Sequence, residues 1–445
     1  PKASAIPAAP AQTGASRFSV AAVYDRRGGH RDVPGGHRPP LQEQDVGLRP
    51  PRPVHRDLLI EKGRERPAGA FHRGVTLRSP ASIFTRTALC VGAFSLQGAT
   101  VAMASSHLIF LGTYTKTSSR GIYAVRLDAT TGALSAPILA AEARDPAWIT
   151  FSPDKKFLYA IQASPAQAIA FSVDAANARL NPLPAPPSAP GRPEVSPAAG
   201  PPCHLAVDAT GRTLLAANYG DGYVASMPVH RDGTLGAPTA IKHAGRSVHP
   251  ARQDKPHAHS VTVSPDNRFV IVCDLGVDRI FSYALDAAAA QLTPATPPFV
   301  TTAPGAGPRH FKFSHDGRHA FAINEMDSTI TVYNYEAGRG ALTPRQTVPT
   351  LPAGFTGQST TAEVRVHPNG KFLYGSNRGH DSIAVFGIDR ATGALTPIEI
   401  VPSGGNVPRN FALSPDGAWL VCGHQGSDDL TVFRGVFGTE RHRSR

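Results

Sequence analysis

The chain has 445 residues, 41% of them hydrophobic, with 42 glycines and 42 prolines, far more turn formers than a helical protein carries. The formal charge of +12 is unevenly placed: residues 1–102 hold 15 Lys/Arg against 7 Asp/Glu, and residues 103–445 hold 30 against 26. A nearly balanced main body without Lys/Arg runs excludes a nucleic-acid protein, and four cysteines without a CxxC pair (Cys90, Cys203, Cys273, Cys422) exclude a disulfide framework and a zinc site.

Residues 1–86 show neither period 2 nor period 3.6 and are rich in Pro, Gly, Arg and His, which predicts a disordered extension over 1–102. No methionine precedes Met103, so one reading of this region is an over-extended start, with Met103 as the true one. The other concerns 86–104: Arg86, an apolar run from Ala88 to Ala102 and the small-x-small site Ala102-Met103-Ala104 have the form of a signal segment. That run is too short, and too interrupted by Gln97 and Thr100, to span a membrane.

From His107 the texture changes to short strand-like runs. Leu108–Tyr114 and Gly121–Asp128 are followed by the turn Thr131-Gly132-Ala133-Leu134, and the pattern then repeats. The turn after each innermost strand serves as a ruler. It begins at Ser152, Asp208, Ser264, Ser314, His367 and Ser414, with spacings of 56, 56, 50, 53 and 47 residues. Asp, Asn, Gly and Pro return there because they suit hairpin-turn backbone angles. A period near 50 with three or four strands per unit predicts an all-β, seven-bladed β-propeller over 103–434: six full units plus a partial one at 107–135. The first unit starts at what is the second strand of the others. Its inner strand is therefore expected from the C-terminus, but the atypical tail 435–445 shows no strand pattern, so incomplete closure of the first blade is expected.

The repeat lets blades be compared with one another. Five residues before each turn stand Ala147, Cys203, His259, Arg309, Ala362 and Arg409; four before it stand Trp148, His204, Ser260, His310, Glu363 and Asn410. Ten residues after the turn start, Gln162, Asn218, Asp274, Asn324, Asn377 and His424 form a uniform column, read as strand-end groups satisfying turn backbone. The next column is irregular and contains Glu325 and Arg378. Because the two strands around a hairpin are antiparallel, the irregular columns converge on one rim. The expected ring is His204, His257, His259, Arg309, His310, Glu325, Glu363, Arg378 and Arg409, an anion-binding acid/base set. Each has a structural alternative: His257 and His259 as hydrogen-bonding strand residues, Glu325 as a solvated loop acid, the arginines as partners of strand-end carboxylates such as Asp274. Metal ligation by the two histidines is disfavoured for want of a nearby carboxylate.

Gly112-Thr113-Tyr114-Thr115, Cys203-His204, Ala217-Asn218-Tyr219, Pro256-His257-Ala258-His259, Gly305-Ala306-Gly307-Pro308-Arg309-His310, Asn324-Glu325, the run from Ser376 to Ser382 and Pro408-Arg409-Asn410 together resemble the seven-bladed propeller lactonase family, over about 108–433. The resemblance implies a cytoplasmic enzyme of glucose metabolism that hydrolyses an anionic sugar lactone, 6-phosphogluconolactone first, without a cofactor; a signal segment at 86–104 would make it periplasmic. It implies a catalytic His/Arg/Glu set on His259 or His257, Arg309 and Glu325, with substrate binding by His204, His310, Glu363, Arg378 and Arg409. A carboxy-muconate lactonising enzyme uses the same residue types, and a non-catalytic propeller scaffold, which predicts an apolar rim, is the alternative from another class. No nucleic-acid or membrane partner is expected.

Overall fold

In the computed structural model, residues 17–24, 106–185 and 201–435 are described. Contacts divide the chain into one unit of Pro1–Gly28 with Met103–Arg445, and a second of Gly29–Ala102. The signal-like run at 86–104 and the tail from 436 onward lie outside the described residues, as does all of the second unit.

Among the described residues, twenty-seven strands form seven antiparallel sheets arranged as seven blades. Blade 1 comprises β1 (Arg17–Tyr24), β2 (Ser106–Tyr114), β3 (Gly121–Asp128) and β4 (Ile138–Glu142). Blade 2 runs from β5 (Ile149–Phe151) through β6 (Phe157–Gln162) and β7 (Gln167–Asp174) to β8 (Arg179–Pro182), and blade 3 from β9 (Pro202–Val207) through β10 (Thr213–Asn218) and β11 (Tyr223–Pro228) to β12 (Thr239–Lys242). Blade 4 begins with β13 (Ala258–Val263) and β14 (Phe269–Asp274), blade 5 with β17 (Pro308–Phe313) and β18 (His319–Asn324), and blade 6 with β21 (Thr360–Val366) and β22 (Phe372–Arg378). Blade 7 has three strands among the described residues, β25 (Pro408–Leu413), β26 (Trp419–His424) and β27 (Leu430–Arg434).

The inner hairpins follow from the sequence ruler. The fourth residue of each turn, Lys155, Gly211, Asn267, Gly317, Gly370 and Gly417, has φ between +58° and +74°. This left-handed conformation is cheap for Gly and tolerable for Asn. The serine that opens four of these turns accepts the amide five residues on and donates to the Asp two residues on, as Ser264 does to Asp266 at 2.5 Å. Between blades, apolar faces interleave: Leu215 and Val224 of blade 3 pack with Val261, Val270 and Val272 of blade 4.

Two expectations are corrected here. The inner strand of blade 1 comes from the N-terminal side: β1 pairs antiparallel with β2, Arg17 opposite Tyr114 and Tyr24 opposite Leu108. Blade 1 is therefore four-stranded, and Arg17–Tyr24 is a strand within the region read as disordered. The physical reason is local: Phe18, Val20, Val23 and Tyr24 are strand formers embedded in Pro/Gly/Arg-rich text that masks their pattern.

Candidate active site

One recurring irregularity builds the site. On β13 the pairing steps from Ala258–Asp274 to Ser260–Cys273, so His259 is an extra residue with no cross-strand partner. The same step isolates Arg309 on β17, Arg409 on β25 and Cys203 on β9. Each is a β-bulge, which re-aims its extra side chain and turns two consecutive residues away from strict alternation. That is why both columns, five and four residues before the turn, carry unusual chemistry.

The bulged residues converge on a cavity of about 610 Å³ at one end of the channel. Of the nine residues read as a ring, His259, Arg309, His310, Glu325, Arg378 and Arg409 line it. Glu325, its side chain 6% exposed, is the hub. Its Oε2 accepts Arg309 Nε at 2.8 Å and pairs with Arg378 Nη2 at 3.1 Å, and its Oε1 accepts Arg252 Nη2 at 2.6 Å. Burial raises the Glu325 pKa, but the Arg378 and Arg309 charges outweigh it and hold the carboxyl well below the usual range. Arg252, Arg309 and Arg378 thus pair with Glu325 and Arg409 Nη1 donates to Gln425 Oε1 at 3.3 Å, while Asp274 is taken by His243 at 2.6 Å and by the amides of His257 and Gly276. Arg378, pulled down to about 9 by burial despite the Glu325 charge, remains protonated at neutral pH.

His259 is buried, with Nε2 3.9 Å from Glu325 Oε2 and Nδ1 without a hydrogen-bond partner. Burial, then the Arg309 and His310 charges, push its pKa well below 6.5, so the imidazole is neutral at pH 7 and can accept a proton. His310 is likewise neutral, mainly through burial. Arg309 Nη1, 3.0 Å away, is a donor, so His310 Nε2 accepts; Nδ1 then carries the hydrogen and faces Glu363 Oε2 at 3.3 Å. Arg309 Nη1 also donates to the Ala362 carbonyl at 2.7 Å, so the guanidinium is fixed on three sides. Cys203 lines the cavity too, but burial pushes its thiol up to about 12, which leaves it a poor nucleophile.

Three of the nine lie elsewhere. His257 stacks on Tyr219 with ring centroids 4.4 Å apart, its Nδ1 is 2.7 Å from the Tyr219 carbonyl and its Nε2 is 3.5 Å from Asp254, so it braces the cavity wall from behind. Glu363 is fully buried and also accepts Asn410 Nδ2 at 2.6 Å. His204 stacks on Trp148 at 3.9 Å beneath the cavity. Among the described residues no His/Cys/Asp/Glu cluster is suited to a metal ion.

The structure adds Arg252, Tyr219, Trp148, Tyr114 and Lys116 to the cavity wall. Arg252 sits in the connection 243–257, where blade comparison has no counterpart; the signal was the 56-residue spacing between the turns at Asp208 and Ser264. Gly276 lets this connection press close, because a Cβ there would collide with the Lys255 carbonyl. Tyr219 stood in the irregular column beside Glu325 and Arg378.

A seven-bladed propeller with a cationic, carboxylate-centred pocket at one mouth defines a class of small-molecule enzymes rather than a protein-docking scaffold. The chain belongs to the family described as "Lactonase, 7-bladed beta-propeller", whose profile matches residues 108–436. It is 34% identical to a protein of Bacillus subtilis named 6-phosphogluconolactonase, over 74% of this chain and 91% of that one. Among solved structures it is similar to a putative 6-phosphogluconolactonase of Bacteroides fragilis (28% identity, TM-score 0.68, 77% of this chain and 96% of that one). It is also similar to the periplasmic gluconolactonase of Pseudomonas aeruginosa (33% identity, TM-score 0.66, 74% and 93%).

Proposed function

We propose that the cavity hydrolyses an anionic sugar δ-lactone, 6-phosphogluconolactone being the first candidate. The observation that carries this reading is the charge of the wall: Arg252, Arg309, Arg378, Arg409 and Lys116 face Glu325 and Asp145, an excess of cations suited to an anionic ligand and an anionic transition state. His259 takes the proton from a water that attacks the lactone carbonyl. The neutral imidazole with a free Nδ1 suits that task, whereas Glu325, held by three guanidiniums, is a weak base. As His259 becomes an imidazolium, Glu325 stabilises it across 3.9 Å. Arg309, clamped by Glu325, His310 and Ala362, supports the oxyanion with Arg378. The tetrahedral intermediate then collapses by breaking the ring C–O bond, and the imidazolium returns the proton to the departing hydroxyl.

Arg409, Arg252 and Lys116 surround the mouth and would hold the substrate's remote anionic group. The Pseudomonas aeruginosa relative is named for gluconolactone, so the unphosphorylated lactone is the second reading. Hydrolysis of both lactones by the full chain, with inorganic phosphate as inhibitor, separates them. A preference of ten-fold or more for the phosphorylated lactone, with competitive inhibition by phosphate, supports the first; equal kcat/KM without inhibition supports the second. No helix among the described residues is long and apolar enough to cross a membrane. We favour a cytoplasmic enzyme, to be tested by cell fractionation.

A further inference from the structure

Beneath the catalytic cavity the channel is closed by rings from different blades. Trp148 of blade 2 stacks on His204 of blade 3 at 3.9 Å, and both meet His310 of blade 5, at 5.3 and 5.2 Å. Blades 3 and 5 are not neighbours, so these rings meet across the axis and form the cavity floor.

Two residues further along the same inner strands come Lys312, after His310, and Arg365, after Glu363. Side chains two apart on a strand share a face, so the pair lies one layer deeper in the channel. The equivalent positions of blades 2, 3, 4 and 7 are Thr150, Ala206, Thr262 and Ala412, all neutral. Lys312 acts electrostatically on His204 of blade 3 and Arg365 of blade 6, as a group near the axis should.

The charges of this layer do not balance. Among the described residues Lys312 has neither a hydrogen bond nor an ion pair. Burial, then the Arg365 charge, pulls its ammonium down to about 8, so it is still mainly protonated at neutral pH. Arg365 Nε lies 3.4 Å from Glu363 Oε1, an ion pair without hydrogen-bond geometry. Glu363 is already shared: Oε2 serves Asn410 at 2.6 Å and His310 at 3.3 Å, and Oε1 accepts the Val364 amide at 3.1 Å. Two cations facing one committed carboxylate leave one positive charge uncompensated in a confined space, which is costly unless a counter-ion is present. The Arg365 side chain is 24% exposed, so solvent reaches this layer.

We propose that Lys312 and Arg365 hold one small monovalent inorganic anion, of the halide class, in the central channel beneath the cavity floor. One charge is needed for balance, and two long side chains already share the layer, which favours a small ion. The site is distinct from the cavity of Arg309 and Arg378 and does not depend on the reaction assigned there.

Bromide is the probe, because it can be located by anomalous scattering. Crystals of the full chain soaked in bromide should show a peak in contact with Lys312 Nζ and the Arg365 guanidinium, and Lys312→Met should lack it. In solution, bromide raised to about 100 times its Kd should raise Tm by several degrees, with ionic strength held constant by a bulky organic sulfonate. Lys312→Met and Arg365→Met should each abolish that rise. Both variants should fold, because Lys312→Met removes a half-buried charge without an ion pair and Glu363 keeps Asn410 and His310 in Arg365→Met. A peak confined to the Arg309–Arg378 cavity, or a Tm response that persists in both variants, overturns the proposal.

Discussion

Replacing Glu325 by glutamine tests the assignment of His259 as base more sharply than replacing His259 itself. The substitution keeps shape and removes the charge that faces the developing imidazolium and that also pairs Arg252, Arg309 and Arg378. At 3.9 Å, close to 4 Å, a unit charge pair is worth about 4 kcal/mol at an effective dielectric constant of about 20, nearly three powers of ten in rate. Three guanidiniums share the same carboxylate and reduce its influence on His259, so a fall in kcat/KM of about 10²-fold is expected. Glu325 also raises the His259 pKa against burial and the Arg309 charge. Its removal should therefore shift the acidic limb of the kcat/KM profile to lower pH while lowering the plateau. The assay is lactone consumption followed by proton release between pH 5 and 7.5, corrected for spontaneous hydrolysis, with Tm measured in parallel. A folded Glu325→Gln protein retaining kcat/KM within five-fold of the parent, with an unmoved limb, would refute the His259–Glu325 pairing.

The other predictions bear on single features. His257→Ala should leave kcat/KM within about five-fold and lower stability by about 1–2 kcal/mol through the lost Tyr219 contact, whereas His259→Ala should lose activity by about 10²-fold or more with little change in Tm; the two variants compared in one assay decide between the histidines. The folded-state pKa values of His204, His259 and His310 are depressed chiefly by burial, so below about pH 6.5 the unfolded chain takes up protons that the fold refuses. Stability should fall with decreasing pH, by about 1.4 kcal/mol per unit for each such histidine, and urea unfolding at pH 7 and 5.5 measures it. Glu325 adds a further loss at lower pH, as the medium passes below the ordinary carboxylate range toward its depressed folded-state pKa. A chain shortened to begin at Met103 lacks β1 and exposes the inner edge of β2, so its Tm should fall by several degrees or more and it should aggregate more readily; an unchanged Tm would show that β1 adds nothing to closure.

Most of the propeller was legible because its turns repeat: Asp, Asn and Gly return where the backbone is left-handed or where a side chain must satisfy turn amides, and that demand is the same in every blade. The uniform column was correctly read as structural, as Asp274 and Asn377 show in holding turn and connection backbone. The cavity lining was legible where the repeat departed from uniformity: His259, Arg309, Glu325, Arg378 and Arg409 stand in irregular columns and line the cavity. Two kinds of information were not. Blade comparison gives the height of a residue in the channel but not which side of a bulge it occupies, so His257, two residues from His259, turns behind Tyr219, His204 stacks on Trp148 in the cavity floor and Glu363 lies buried outside the lining. Arg252 belongs to a connection with no equivalent in other blades, and β1 pairs across a sequence gap of more than eighty residues, where local pattern carries no pairing information.

Every role assigned above rests on hydrolysis of a sugar lactone in the Arg309–Glu325–His259 cavity. It is tested most directly by the rate of 6-phosphogluconolactone hydrolysis with the parent chain and with Arg309→Ala. Turnover by the parent should be well above the spontaneous rate, and Arg309→Ala should lose about 10²–10³-fold in kcat while still unfolding cooperatively. A parent chain no faster than buffer, or an Arg309→Ala variant as fast as the parent, would contradict it.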